Sequence, residues 1–250
     1  MRTLDLNADL GELDTPDGHA SDAAILSVVT SASIACGGHA GDPDSMARAV
    51  DTAMSEGVRI GAHPAYPDRE GFGRRPRFSI SRDDLAESLA GQICALMDVA
   101  ASAGGRVAYV KPHGALYNDA VADAGLAELV VGVVEDMGPG LALMGAPNSE
   151  VEAAAEGRLR FIPEGFIDRR YADTGHLVPR SRDGAVLATD EERLAQLERL
   201  AVHRAVTTDT GATLPIACRT LCLHGDSAGA MRTAKLARDR LLALGVRVEA

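Results

Sequence analysis

Four short apolar runs in this chain each reach a histidine or a carboxylate with glycine or proline close behind: TLDLNADLGE (3–12), VRIGAHPAYPD (58–68), VAYVKPHGALYN (107–118) and TLCLHGD (220–226). Side chains alternate faces along a strand, so residues two apart look the same way. In the first run Leu4 and Leu6 share one face, while Asp5, Asn7 and Asp9 share the other. Gly61 and His63 oppose Val58 and Ile60 in the second; Tyr109, Lys111 and His113 oppose Ala108 and Val110 in the third. The fourth repeats the phase, with Cys222, His224 and Asp226 opposite Leu221 and Leu223. Polar groups at the C-terminal ends of several strands in one phase are what inward-facing residues look like at the catalytic rim of a (β/α) barrel.

The 250-residue length suits one such barrel and a sizeable core, so the expectation is an α/β chain folded as a single TIM-like barrel domain over 1–250, seven-stranded or distorted. Strand-like runs fall near 3–7, 31–35, 58–62, 106–110, 141–144, 159–162 and 219–223, with a short one at 246–248. Helical patterns lie between most of them. Asp42-Pro43 supplies a cap and a first-turn proline for a helix to about Glu56, closed by Gly57. Leu85, Leu89, Ile93, Leu96 and Val99 repeat at helical spacing behind Ser81. Thr189 with Glu192 forms a capping box, and Asp226 is placed to cap a last helix ending at Gly245. Two Arg-, Gly- and Pro-rich connections, 63–80 and 163–188, are too long for simple turns, and loops of that length usually carry function.

A formal charge of −11 and an aromatic content of only 3% disfavour a nucleic-acid partner, since phosphate is repelled and bases find few rings to stack on. No stretch approaches the length of a bilayer span and the N-terminus lacks an apolar leader core, so no membrane partner and a cytoplasmic location are expected. Cys36, Cys94, Cys218 and Cys222 show neither a CxxC pair nor the dense spacing of a secreted scaffold, which fits reduced thiols.

His63, His113 and His224 are candidate general bases, because neutral imidazole accepts protons near pH 7 and a neighbouring carboxylate orients it. A hydrogen-bonded structural histidine is the bland reading of any one of them; three at corresponding strand ends favour chemistry. Asp9 is the catalytic carboxylate of choice, with Glu12 close by, because Asp42 and Asp226 are explained as helix caps. His39 sits among glycines that suit close backbone approach to a ligand. Lys111 and the loop arginines Arg69, Arg74, Arg75, Arg169, Arg170 and Arg180 are suited to gripping a carboxylate or phosphate. Cys36 reads as a small buried thiol rather than a nucleophile. Convergent His, Asp and Glu are also a possible divalent-metal set, although no HExxH or other local ligand pair demands one. No GxxxxGK[ST] loop and no strand–GxGxxG–helix unit is present, so any nucleotide binds differently or on a partner.

With these segments placed, the sequence resembles the LamB/YcsF family along nearly its whole length. The likeness rests on DLNADLGE (5–12), SIACGGHAGD (33–42), GAHPAYPDREGFGRR (61–75), VKPHGALYN (110–118), EGFIDRRY (164–171), LVPR (177–180) and LHGD (223–226). It implies a barrel subunit that works with two others, B and C, in an ATP-dependent 5-oxoprolinase: the lactam of 5-oxo-L-proline opens to L-glutamate while ATP, the co-substrate, becomes ADP and phosphate. Candidate substrate-binding residues are Asn7, Glu12, His39, Arg74, Lys111, Asn118, Glu164, Arg169 and Asp226, around catalytic Asp9, His63, His113 and His224. Lys111 and a loop arginine are expected to hold carboxylate or phosphoryl charge, and backbone amides near Gly37 and Gly38 to support an oxyanion. Two other readings stay open, a metal-dependent amide deacetylase and a non-catalytic subunit that binds substrate and couples its partners.

Overall fold

The computed structural model describes residues 2–225 and 229–250. Strands β1 (Thr3–Leu10), β2 (Ser31–Ala35), β3 (Arg59–His63), β4 (Val107–Val110), β5 (Ala142–Gly145) and β6 (Arg160–Phe166) are followed by an antiparallel hairpin, β7 (Ala205–Thr207) with β8 (Thr213–Pro215), then by β9 (Thr220–His224) and β10 (Arg247–Val248). Strands β1 to β6 and β9 pair in parallel, and β1 closes the ring on β9 with Asp5 opposite Thr220 and Asp9 opposite His224. The result is a closed seven-stranded barrel, with β10 added beside the start of β1.

Helices α1 (Pro16–Leu26), α2 (Pro43–Ser55), α3 (Arg82–Ser102), α4 (Gly114–Ala122), α5 (Ala124–Asp136), α6 (Glu150–Ala155), α7 (Asp190–Glu198) and α8 (Ala230–Ala243) surround the ring, and a π-helical turn, Arg199–His203, continues α7. Local chemistry sets the expected boundaries. Asp42 accepts from the Ser45 amide at 2.8 Å while Ser45 Oγ accepts from the Asp42 amide, and Gly57, at φ 68°, follows the helix. Thr189 and Glu192 form the reciprocal box that starts α7. Asp226, expected both as a cap and as a site residue, lies outside the described residues. No helix among the described residues is long and apolar enough to cross a membrane.

Two stretches differ from the sequence reading. β6 runs to Phe166, because Pro163 needs no ladder donor there and its carbonyl accepts from the Arg219 amide; Glu164 thereby belongs to a strand and not to a loop. The β7–β8 hairpin went unforeseen, as its three-residue strands are too short to show a period.

The apolar face of β1, Leu4, Leu6, Ala8 and Leu10, packs outward against the helices. Its polar face looks into the barrel. Asp5 accepts from Thr30 Oγ1 (2.6 Å), Ser31 Oγ (2.8 Å) and Thr220 Oγ1 (2.5 Å), closing the lower end. Above it Tyr109 packs with Ala142, Met144 and Ile162. That ring fits only because position 61 is glycine: a Cβ there would stand 2.2 Å from the Tyr109 ring. The filled lower half leaves the C-terminal mouth as the place for a ligand.

Gly11, at φ 74°, turns the chain out of β1, and its amide donates to Asp22 Oδ2 of α1 at 2.9 Å. Burial raises the Asp22 pKa to about 6, the Gly11 amide opposing and the Glu12 charge adding to the rise. A carboxyl whose folded pKa exceeds its unfolded value stabilises the fold below the unfolded pKa, near 4, and that contribution is lost as pH rises through 6. Asp22→Asn keeps an acceptor for Gly11 and removes the charge. Urea denaturation should show the variant close to the parent near pH 4 and about 1–2 kcal/mol more stable at pH 8; an equal difference at both pH values contradicts this.

Candidate active site

The C-terminal ends of β1, β3, β4, β6 and β9 surround a cavity of about 470 Å³ that Asp9, His63, Lys111, His113, Phe166 and His224 line from the barrel side. Arg74, Arg169 and Arg180 line it from the connecting segments, and Asn118 from α4. Glu12 and His39 stand behind His113, and Asn7 and Glu164 lie beneath Lys111. The catalytic candidates Asp9, His63, His113 and His224 and the substrate-binding candidates named with them therefore gather at one mouth, within the described part of the chain.

Lys111 is the centre of the group. It is 1% exposed, and its Nζ lies 2.8 Å from both Asp9 Oδ1 and Glu164 Oε1, 3.1 Å from Cys222 Sγ and 3.3 Å from Asn7 Oδ1. Burial disfavours its charge, but Asp9, Cys222 and Glu164 outweigh burial and hold the ammonium well above its ordinary pKa. Burial pushes Asp9 up, and the charges of His63 and Lys111 bring it well below the usual carboxylate range. Glu164 ends on the other side: burial raises it, with Lys111 opposing. Three ammonium protons facing four acceptors leave none for a substrate anion. The gripping role expected of Lys111 is thereby closed to it, and the other cations lining the cavity are the guanidinium groups of Arg74, Arg169 and Arg180.

His63 and His113 constrain each other. His63 Nδ1 lies 2.8 Å from Lys111 O, and His113 Nε2 lies 3.0 Å from Phe72 O. A carbonyl only accepts, so each of those nitrogens carries its proton. The remaining two nitrogens face one another at 3.0 Å, with Glu12 Oε1 3.2 Å from His113 and Asp9 Oδ2 3.5 Å from His63. Two bare lone pairs do not attract; a proton or a cation between them completes the contact, and the two carboxylates balance its charge. His113 loses proton affinity to burial, its bond to Glu12 opposing, and burial lowers His39 to about 4. Glu12, which meets both rings, is raised by burial yet held below its ordinary value by those bonds.

Glu12, His39 and His113 offer three ligand atoms within 4.8 Å of one another, a donor set that suits zinc or a similar divalent ion. The His39 and His113 rings, however, stack 3.6 Å apart and 2° from parallel, so their in-plane lone pairs run side by side. A cation held by both requires one ring to tilt.

On the opposite wall His224 stacks over Phe166, and its Nδ1 lies 2.9 Å from Asp168 Oδ2, which also accepts from the His224 amide. Burial acts to raise Asp168, but the His224 charge and bonds bring it to about 2. The pair fixes the imidazole tautomer and leaves Nε2 as the nitrogen for proton transfer. Sequence reasoning missed Asp168. It lies 56 residues from His224 in an irregular stretch, and its one visible signal was a carboxylate inside EGFIDRRY.

The six loop arginines divide. Arg74, Arg169 and Arg180 line the cavity, whereas Arg69 holds the Gly37 and Gly41 carbonyls, Arg75 pairs with Asp68 and Glu70, and Arg170 binds Gly184 O and Glu192. Arg169 donates to Val178 O at 2.8 Å, and burial followed by repulsion from Arg180 lowers its pKa to about 10. Crowded guanidiniums of this kind attract an anion. The oxyanion role expected near Gly37 and Gly38 is not met: the Gly37 amide donates to Ala40 O, a Cβ at Gly38 would meet Gln92 at 2.3 Å, and neither glycine lines the cavity. Burial pushes the Cys36 thiol to about 12, which suits its packing role.

The sequence profile of the LamB/YcsF family matches residues 4–250. This chain belongs to the LamB/YcsF family. A protein of Methylococcus capsulatus, named as the A subunit of 5-oxoprolinase, is 45% identical over 250 residues, which cover 100% of this chain and 96% of the relative. One of the same name from Nocardia farcinica is 47% identical over 248 residues, covering 99% and 98%. The crystal structure of a lactam utilization protein from Thermus thermophilus superposes with a TM-score of 0.90 at 35% identity, covering both chains completely. A family 4 carbohydrate esterase from Streptomyces lividans, at 9% identity and a TM-score of 0.52 over 99% of this chain and 93% of its own, shares the fold alone.

In this LamB/YcsF chain the buried ammonium compensates two buried carboxylates. Lys111→Met should lower stability by about 3–5 kcal/mol, the range for breaking a buried ion pair, as read by urea denaturation at neutral pH. A loss under about 1 kcal/mol contradicts the assignment.

Proposed function

We propose that the chain is the A subunit of an ATP-dependent 5-oxoprolinase, a cytoplasmic hydrolase component that acts on the cyclic amide of 5-oxo-L-proline. The observation that carries this reading is the full-length similarity, at 45% and 47% identity, to proteins named as the A subunit of 5-oxoprolinase. The site fits it: a cavity of about 470 Å³ joins two histidine centres to a set of guanidiniums, as a small anionic amide requires. The name those relatives carry supports partners, which we take to be the B and C subunits. The chain carries none of the common glycine-rich nucleotide loops, so ATP binding is assigned to the assembly.

An unstrained amide is a poor electrophile. Phosphorylation of the lactam oxygen by ATP, with release of ADP, turns that oxygen into a leaving group. Water then adds to the ring carbon, the C–N bond breaks as nitrogen takes a proton, and a second water releases phosphate from the acyl phosphate to give L-glutamate. His224, oriented by Asp168, is placed to take the proton from water. The His63–His113 contact is placed to return one to nitrogen, and Arg74, Arg169 and Arg180 to hold carboxylate and phosphoryl charge.

A metal-dependent amide deacetylase is the second reading, favoured by the Glu12, His39 and His113 donors alone. The deciding assay reconstitutes the chain with its partner subunits and measures 5-oxoproline-dependent phosphate release and glutamate formation, with and without chelator. The proposal expects both products in equal amounts, and at least about a hundredfold loss of turnover in His113→Ala and in His224→Ala. No 5-oxoproline-dependent turnover, or near-normal activity in both variants, contradicts it; amide cleavage that needs no ATP, is abolished by chelation and is restored by a divalent ion supports the metal reading.

A further inference from the structure

Beside the main cavity lies a smaller one of about 200 Å³, and the two share Tyr117, Asn118, Phe166, Leu177 and Pro179 as a common wall. Among the described residues four buried side-chain polar atoms have no hydrogen-bond partner, and two of them, Glu164 Oε2 and the Tyr117 hydroxyl, belong to residues that line this smaller cavity. Glu164 is 1% exposed and Tyr117 6%. An unsatisfied buried polar group is costly, and native structures tolerate few. Glu164 is not idle for want of neighbours, since its Oε1 accepts from both Lys111 Nζ (2.8 Å) and Asn7 Nδ2 (3.0 Å). The other oxygen has been left free.

We propose that this smaller cavity is a subsite for the edge of a cyclic amide, with Glu164 Oε2 accepting the ring N–H and the Tyr117 hydroxyl donating to the adjacent carbonyl. The inference rests on the reading of the chain as acting on a lactam, and it adds how that lactam is recognised. A cis amide presents one donor and one acceptor side by side. A carboxylate oxygen and a phenol supply the complementary pair. Phe166, Leu177 and Val121 give the cavity apolar walls for ring methylenes, while the arginines of the larger cavity face the substituent carboxylate. A carboxylate opposite the nitrogen also favours phosphorylation of the carbonyl oxygen, because that step places positive charge on the N–H.

The test compares 5-oxo-L-proline with its lactone analogue, in which a ring oxygen replaces N–H, in the reconstituted assembly. The parent should show a lactone inhibition constant at least about tenfold above the KM of the lactam, as expected when a buried acceptor is left unpaired. In Glu164→Gln the donors Lys111 and Asn7 claim the amide oxygen, which turns the NH₂ toward the cavity. The KM for the lactam should rise at least about tenfold, and the preference for lactam over lactone should vanish or invert. Tyr117→Phe removes a hydroxyl without a partner, so its melting temperature should match or exceed that of the parent, while its KM rises about three- to tenfold. If Glu164→Gln fails to fold, Tyr117→Phe decides. KM and lactam preference unchanged in the folded variants, with the parent active, overturn the subsite and leave the proposed reaction standing. A parent that does not turn over 5-oxoproline overturns the reaction and removes the ligand on which the subsite rests.

Discussion

One ammonium group inside the barrel ties its mouth together. Lys111, just past the end of β4, meets Asp9 from β1 and Glu164 from β6, each at 2.8 Å, so three strands converge on a single charge. Moving that charge out of water costs several kcal/mol, and only close, complete pairing offsets the cost. The same contacts fix the side chains around it: Asp9 stays ionised beside His63, and Asn7 is drawn toward Glu164. With its protons committed, Lys111 sets the electrostatics of a cavity whose other cationic lining is Arg74, Arg169 and Arg180.

The barrel below supports this arrangement by being full. Tyr109 occupies the space that Gly61 leaves, and Asp5 closes the lower end through three hydroxyls. Ionisable groups then have one place to go, the C-terminal mouth, where two proton-handling centres face each other. On one side His63 and His113 are locked by carbonyls into tautomers that need a shared proton; on the other His224 is set by Asp168. Family membership and the fold are consistent with that division, and the chemistry assigned to it follows from which nitrogen each partner leaves free.

Much of this was legible in the sequence. The two-residue phase of β1, β3, β4 and β9 marks Asp9, His63, Lys111, His113 and His224 as inward-facing, because a half-polar strand writes its orientation into its alternation. What stayed hidden depended on contacts that no local pattern records. Asp168 finds His224 only through the closure of β6 on β9, and Pro163 disguised the end of β6 so that Glu164 read as loop. Apolar flanks within a strand and a face shared with His113 singled out Lys111 to grip a substrate anion; its four neighbours come from strands distant in sequence. The glycines at 37 and 38 suggested ligand approach, but packing on Gln92 accounts for one and an internal turn for the other.

The chain has only two lysines, Lys111 and the exposed Lys235, which makes the central claim directly observable. In protein labelled with ¹⁵N-lysine, two side-chain nitrogen resonances are expected across a pH titration. The Lys111 nitrogen should keep its ammonium shift beyond about pH 10.4, the ordinary value for a lysine, for as long as the protein stays folded. A Lys111 signal that loses its proton at or below that pH would contradict the paired, charge-holding ammonium on which this structure is built.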